Sequence, residues 1–258
     1  MRSSGNKKQR GLVASGAVTG VLMLAFLLAA AAGNATNTKP SQYAPADDLE
    51  HQVKTLMDQL HKDLATKDEY EDKQKGRVER DANTVAVLAL VLGNHDQANG
   101  LRGSAAAVIQ AATTLAEESG DYAAARAALA KLDAALDMSS SGKVKWSAVG
   151  NIEQLMLQVP ILNTSLRRAV NGRRFAKSRD KASALVACLA AIAQVSIFDD
   201  TYCSDDEDQA KWISFCVAMR DAAAGCNKAV HGNSPDGAKE ALTKMMLSCD
   251  NCHAVFRD

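Results

Sequence analysis

The last ten residues contain one Cys-x-x-Cys-His sequence, formed by Cys249, Cys252 and His253. This is the spacing by which haem c is attached to protein. On a helix, the three residues occupy positions i, i+3 and i+4, so two thiols and one imidazole share a face. The thiols can form thioethers with the haem vinyl groups, and the imidazole can ligate the iron. The sequence therefore predicts one covalently bound haem c.

Two other kinds of site use the same cysteine pair. A structural zinc site needs a second ligand pair, and the chain has no other Cys-x-x-Cys. A thioredoxin-like redox pair opens a helix after a strand, whereas Cys249 and Cys252 follow a helical pattern at the end of the chain. Haem attachment is the preferred interpretation, with metal binding or an inert motif as the alternatives.

Composition predicts that helices position this motif. Aromatic residues make up 4% of the chain, β-branched runs are few and Ala is abundant. Apolar residues recur at helical spacing after residue 46, in segments separated by Gly, Asn, Ser and Pro. Eight helices are predicted, at 47–66, 72–92, 98–118, 121–137, 147–171, 176–200, 206–230 and 235–256. Their starts are marked by Asp47, Asp121, Ser147 and Ser234-Pro235.

The second half of the chain repeats the first. Leu56-Met57 matches Leu155-Met156 at an offset of 99, and Ala128-Leu129 matches Ala241-Leu242 at an offset of 113. The change of offset predicts an insertion of about 14 residues in the second copy, near Asp199 to Asp208. Similar composition of Ala-rich helices is the alternative explanation.

The repeat predicts an all-α fold of two tandem four-helix bundles, at 47–140 and 144–258. The first copy has no cysteine, and it carries Leu136, Ser139 and Ser140 where the second carries the haem motif. We therefore expect a haem-free first bundle and a haem-binding second bundle.

The N-terminus is typical of an export signal. Four basic residues precede an uncharged apolar run at 11–33, and small residues follow. Residues 1–35 are predicted to be a cleaved signal peptide or, because the run is long enough, a membrane anchor. Residues 36–46, with two prolines, are predicted to be a linker without a packing pattern. The mature chain would be periplasmic or held on the outer side of the cytoplasmic membrane.

Charge excludes one class of partner. The first 35 residues hold four of the 30 basic residues and none of the 30 acidic ones, so the remainder has a net charge of −4. The chain has no basic stripe interleaved with aromatic residues, and nucleic acid is therefore not expected as a partner.

A four-helix bundle that ends in Cys-x-x-Cys-His-x-x-Phe-Arg resembles the cytochrome c′ family, the class II cytochromes c. The motif here includes Phe256 and Arg257. The likeness is specific at 235–258 and architectural at 147–234, while 47–138 lacks the attachment site. It implies a haem packed inside the bundle with His253 as proximal ligand. The distal face is open to diatomic gases such as nitric oxide in some members, and is closed by a first-helix methionine in electron carriers.

Met156 is the candidate sixth ligand, because it lies on the inward stripe of the bundle's first helix. Pro160 is expected to bend that helix nearby. Against ligation, the haem-free copy keeps Met57 at the matching position, where it would only fill the core. The other options are a distal face left open or blocked by Leu155, or ligation by His231.

Phe256 and Arg257 are expected beside the haem, and the four cysteines outside the motif are expected to stabilise the fold. Phe256 ends the apolar stripe of the last helix. Arg257 can pair with a haem propionate, or it can remain solvated and complement the helix dipole. Four cysteines remain in a predicted hairpin with its turn near Ser204 to Asp208, and their distances from the turn favour two nested disulfides, Cys203–Cys216 and Cys188–Cys226. Buried free thiols are the alternative.

The predicted function is an exported monohaem c-type cytochrome that transfers electrons to or from a redox partner protein. The alternative is a five-coordinate haem protein that binds a diatomic gas. No base lies on the inward stripe of the 147–171 helix, so an enzyme is not expected. The haem-free bundle would act as a permanent partner in place of a second subunit, and the oligomeric state is left open.

Overall fold

A computed structural model describes residues 38–71, 75–138, 143–170 and 175–257, and the predicted leader at 1–35 lies outside them. The described chain is all helical, which confirms the predicted fold class. Its eight long helices are α1 Ala46–Asp63, α2 Lys75–Gly93, α3 Ala105–Glu117, α4 Tyr122–Leu136, α5 Ile152–Val170, α6 Arg179–Ser196, α7 Asp206–His231 and α8 Pro235–Phe256. None of these described helices is long and apolar enough to cross a membrane.

The start of α5 differs from the prediction. Gly150 has a φ of 78°, a left-handed conformation that interrupts the helix expected to begin at Ser147. Asn151 then accepts a hydrogen bond from the Glu153 backbone N–H at 2.8 Å and caps the helix. Its own N–H donates to Asn83 Oδ1 of α2 at 2.7 Å. A tertiary contact therefore decides where α5 begins.

The segment predicted to be an unpacked linker is part of the core. Pro40 to Gln42 form a 3₁₀ turn, and Tyr43 and Ala44 are buried. The Arg220 guanidinium of α7 lies over the Tyr43 ring at 5.6 Å from its centroid. Residues 40–46 thus join the two halves of the chain and do not separate them.

Helices α1, α2, α5 and α6 form the centre of the molecule. The α1 helix packs on α2 and α6, and α5 packs on α6 and α2. The α3–α4 hairpin covers α2, and the α7–α8 hairpin covers α6. Every residue from Ala182 to Ser196 in α6 is buried, because neighbours surround this helix. One continuous apolar core includes residues of all eight helices.

The additional length of the second half lies mainly in helices. The α7 helix has 26 residues against 13 in α3, and α8 has 22 against 15 in α4. At the offset of 113, α3 corresponds to 218–230 and the end of α4 corresponds to residue 249. Residues 206–217 and 250–256, here named the extension, therefore lengthen α7 and α8 beyond the positions that match the start of α3 and the end of α4.

A buried polar contact joins α2 to α5. Arg80 Nε donates to Gln158 Oε1 at 2.6 Å and lies 3.6 Å from the Asp81 carboxylate. Asp81 is 3% exposed. Burial raises the pKa of Asp81 to about 6, although the Arg80 charge lowers it. The folded chain therefore holds a proton at Asp81 that the unfolded chain releases near pH 4.

We expect this carboxyl to make stability fall as pH rises from about 4 to about 6. A folded-state pKa above the unfolded value means that the folded chain binds more protons in that window, so its relative stability decreases by about 3 kcal/mol in total. Asp81→Asn should remove this decrease when the free energy of urea unfolding is measured at several pH values. Asp180→Asn, at the matching exposed position of α6, should leave it in place. Parallel pH curves for wild type and Asp81→Asn would contradict the assignment.

Candidate functional site

The Cys-x-x-Cys-His motif lies entirely within α8. The Ser234 hydroxyl caps this helix by accepting from Gly237 N–H, and Pro235 is its first residue. The helix continues to Phe256, so the predicted spacing of two thiols and one imidazole on a helical face agrees with the structure. Cys249 and Cys252 are half-buried against the protein, and His253 is exposed.

The two thiols border different apolar clusters. Cys249 packs against the main core. Cys252 packs against a second, smaller cluster at the far end of the bundle, and this is named the end cluster. Its buried members are Ile152, Ile197, Trp212 and Cys216, and its half-buried members are Met156, Phe198, Cys203, Ile213, Val217, Cys252 and Phe256. Most of the end cluster is thus incompletely covered.

Aromatic side chains are concentrated beside the end cluster. Both Trp residues and three of the five Phe residues of the chain are found there. Trp146 stacks on Phe198 with ring centroids 5.7 Å apart, and the Phe256 ring meets Trp212 edge-on at 5.4 Å. Trp212 Nε1 donates to the Ser196 carbonyl at 2.6 Å, which holds the indole in place. These rings form a wall suited to a large flat apolar group.

The end cluster depends on the extension. Trp212, Phe215 and Cys216 come from residues 206–217 of α7, while Cys252 and Phe256 come from residues 250–256 of α8. In the first half, α3 begins and α4 ends at positions that leave both matching segments outside these helices. The chemistry-bearing motif is therefore located where the two halves of the chain differ.

Helices α5 and α8 pack sparsely on each other beside the motif, and the surface between them is here named the groove. Met156, Pro160, Asn163 and Arg167 share one face of α5 at helical spacing. Arg167 Nη2 lies 2.8 Å from the Met246 sulfur of α8, at one end of the groove. Met156 and Cys252 both pack on the end cluster, at the other end. The two helices are therefore antiparallel, and they pack on each other less extensively than α7 packs on α8.

One polar atom on the α5 side of the groove has no partner. Asn163 Oδ1 is buried and accepts no hydrogen bond. A buried polar atom without a partner is unfavourable unless a further group completes its surroundings. Other described side chains, among them Tyr43 and Gln194, also hold such an atom, so Asn163 by itself does not mark a ligand site. The incompletely covered end cluster is the surface on which an additional apolar group can pack.

Both motif thiols are neutral at pH 7. Burial, with smaller contributions from the nearby Cys249 and Cys203 thiols, raises the pKa of Cys252 to about 11. Burial also raises the pKa of Cys249, with a contribution from Asp250. A neutral thiol carries both the sulfur and the hydrogen that addition across a vinyl group requires.

The structure separates the candidates for a sixth ligand. Met156 is half-buried and packs on both apolar clusters, whereas Leu155 is 2% exposed and belongs to the main core. His231 lies at the opposite end of α7 from the end cluster, with Nε2 2.8 Å from Asp48 Oδ2. Only Met156 shares a cluster with Cys252. Arg257 is exposed just after α8, so neither of its two predicted roles is decided.

All six cysteines are free thiols in the structure. The turn between α6 and α7 spans residues 197–205, earlier than the predicted 204–208. Arg220 contacts Gln194 and Asn227 contacts Ser183 across these helices, close to the register that opposes Cys188 to Cys226. The Cys226 thiol approaches the Ala238 carbonyl at 3.4 Å, and Cys203 and Cys216 meet at the end cluster. Both pairings stay predictions.

Sequence reasoning missed several residues of the site. Trp146, Phe198 and Trp212 form the aromatic wall, and Asn163 faces the groove. The sequence did hold one signal for these residues, because most of its few aromatic residues lie within 146–256. Ser139 and Ser140, the first-half counterparts of the motif, lie outside the described residues.

No family model, curated protein or solved structure matches the chain.

Proposed function

We propose that the chain is an exported monohaem c-type cytochrome of class II type that acts in electron transfer. One observation carries the proposal. Cys252 of the Cys-x-x-Cys-His helix packs on an incompletely covered, aromatic-rich cluster, to which the extension contributes Trp212, Cys216 and Phe256. A zinc or redox role for the cysteine pair gives no reason for an incompletely covered aromatic cluster beside it.

Each residue has a defined task in this proposal. The haem iron supplies one-electron redox chemistry when the group is bound. Cys249 and Cys252 would hold the porphyrin covalently, and His253 would ligate the iron. The Trp212 and Phe256 rings would exclude water from the site, and Met156 is the candidate for a second, thioether ligand. Because the attachment site is close to the chain end and beside exposed residues, an edge of the haem would lie near the surface. A redox partner protein could then approach it.

The alternative is binding of a diatomic gas by a five-coordinate iron. This alternative is expected if the Met156 side chain keeps its packing on the two apolar clusters and does not turn into the groove.

The remaining parts of the proposal come from the sequence. The pattern at 1–35 supports export, and the haem-free half would cover α6 as a second subunit does in a homodimer.

The decisive experiment measures covalent haem. The full chain should be expressed in a host with a haem c maturation system. Its pyridine haemochrome spectrum and its denatured intact mass should then show one haem per chain, because thioethers survive denaturation. The double variant Cys249→Ser/Cys252→Ser should retain no covalent haem, since both attachment points are lost.

Cys226→Ser is the matched control, because this thiol is buried on α7 away from the groove and should leave haem content unchanged. Far-UV circular dichroism should show that each variant is helical. A colourless wild-type protein with the mass of the bare polypeptide would refute the proposal, as would a double variant that still carries covalent haem.

A further inference from the structure

Three thiols meet at the end cluster. Cys203 lies in the turn after α6, Cys216 in the α7 part of the extension, and Cys252 in the α8 part. Cys216 is a buried member of the cluster, and both Cys203 and Cys252 pack against it. Electrostatic coupling of Cys216 to both other thiols independently indicates that the sulfurs are close. Three separate chain segments thus bring their sulfurs to one site.

The three thiols differ in access to solvent. Cys203 and Cys252 are half-buried, whereas Cys216 is 8% exposed. The remaining thiols outside the motif, Cys188 and Cys226, are fully buried in the main core. A dissolved oxidant therefore reaches Cys203 or Cys252 first, and a disulfide between them can be attacked by Cys216 only from inside the protein.

We propose that Cys203 is a disulfide partner of Cys252, and that Cys216 resolves this bond by pairing with Cys203 and releasing Cys252. An external disulfide supplies the oxidising equivalents. The Cys203 thiolate attacks it and releases one external thiol, and the Cys252 thiolate then attacks the Cys203 sulfur and releases the second. In a redox-neutral exchange, Cys216 next attacks the Cys203 sulfur, and its proton passes to the departing Cys252 sulfur.

The exchange itself needs no haem. Its consequence for haem rests on the proposed function, because a Cys252 sulfur held in a disulfide cannot form a thioether. The Cys203–Cys216 disulfide then protects Cys252 by removing a competing thiol. Oxidation before haem attachment would block the site in a protein that lacks Cys216.

Disulfide mapping tests the exchange. The full chain, produced without haem maturation, should be reduced, equilibrated in a glutathione redox buffer, quenched in acid, alkylated and digested. We expect the Cys203–Cys216 linked peptide from wild type and the Cys203–Cys252 linked peptide from Cys216→Ser. The control Cys226→Ser should give the wild-type map. Any other linkage in wild type or Cys216→Ser, including Cys249–Cys252 with Cys203 alkylated, overturns the proposal.

Haem content tests the consequence. In a maturation-competent host, Cys216→Ser should carry several-fold less covalent haem than wild type. The double variant Cys203→Ser/Cys216→Ser should recover it, because no trapping thiol remains, and a merely structural role of Cys216 predicts no recovery. Unrecovered haem content in the double variant overturns the proposal. A haem-free wild type with the expected peptide maps refutes only the proposed function.

Discussion

Met156→Ala is expected to convert the haem iron from six-coordinate low-spin to five-coordinate high-spin. Met156 is half-buried where the two apolar clusters meet, and it is the methionine that packs on the same cluster as Cys252. A thioether opposite His253 raises the reduction potential of haem iron, so its loss should lower that potential by on the order of 0.1 V. The optical spectrum, a redox titration and carbon monoxide binding measure these changes.

Met57→Ala is the matched control for this substitution. Met57 occupies the equivalent position of α1 and is 7% exposed in the main core, remote from the motif. Its truncation should lower stability and leave the haem spectrum unchanged. If wild type already has a high-spin spectrum and binds carbon monoxide, Met156 is not a ligand and the gas-binding alternative replaces electron transfer.

Leu90→Ala and Leu189→Ala are each expected to reduce the free energy of unfolding by about 2–5 kcal/mol. These residues correspond at the offset of 99, on α2 and α6, and each is at most 1% exposed. Both belong to one core, and the two halves meet through α1 with α6 and α2 with α5. Both substitutions should therefore lower the same cooperative transition in urea.

Tryptophan emission makes this test selective. Trp146 and Trp212 both lie beside the end cluster in the second half. Leu90→Ala in the first half should nevertheless lower the midpoint of the tryptophan transition, and far-UV circular dichroism should follow the same curve. Leu157→Ala, at a site 58% exposed, should change stability by less than about 0.5 kcal/mol. A tryptophan transition unaffected by Leu90→Ala would mean that the halves unfold independently.

Local signals in the sequence determined most of the helices and the motif. Asp121 caps α4 and Ser234 caps α8 as predicted, because capping joins a side chain to a backbone N–H three residues away. The spacing of Cys249, Cys252 and His253 likewise lies within little more than one helical turn. Interactions of this range depend on neighbouring residues alone, so a sequence is sufficient to predict them.

Tertiary packing decided the rest of the candidate site. Trp146, Phe198 and Trp212 are far apart in the chain and come together only because α5, α6 and α7 end at the same place. The helices predicted at 206–230 and 235–256 agree with α7 and α8, but the sequence did not show that their ends meet and form the end cluster. The α6–α7 turn lies earlier than predicted, at 197–205.

The physical reason is the range of the interactions. Periodicity and capping report which face of a helix is apolar and where the helix begins, and the sequence alone determined these features. They do not report which other helix covers that face, or in which register. The choice depends on the shapes of surfaces distant in sequence, so only the tertiary structure decided that Met156, Cys203, Cys216 and Cys252 share one cluster.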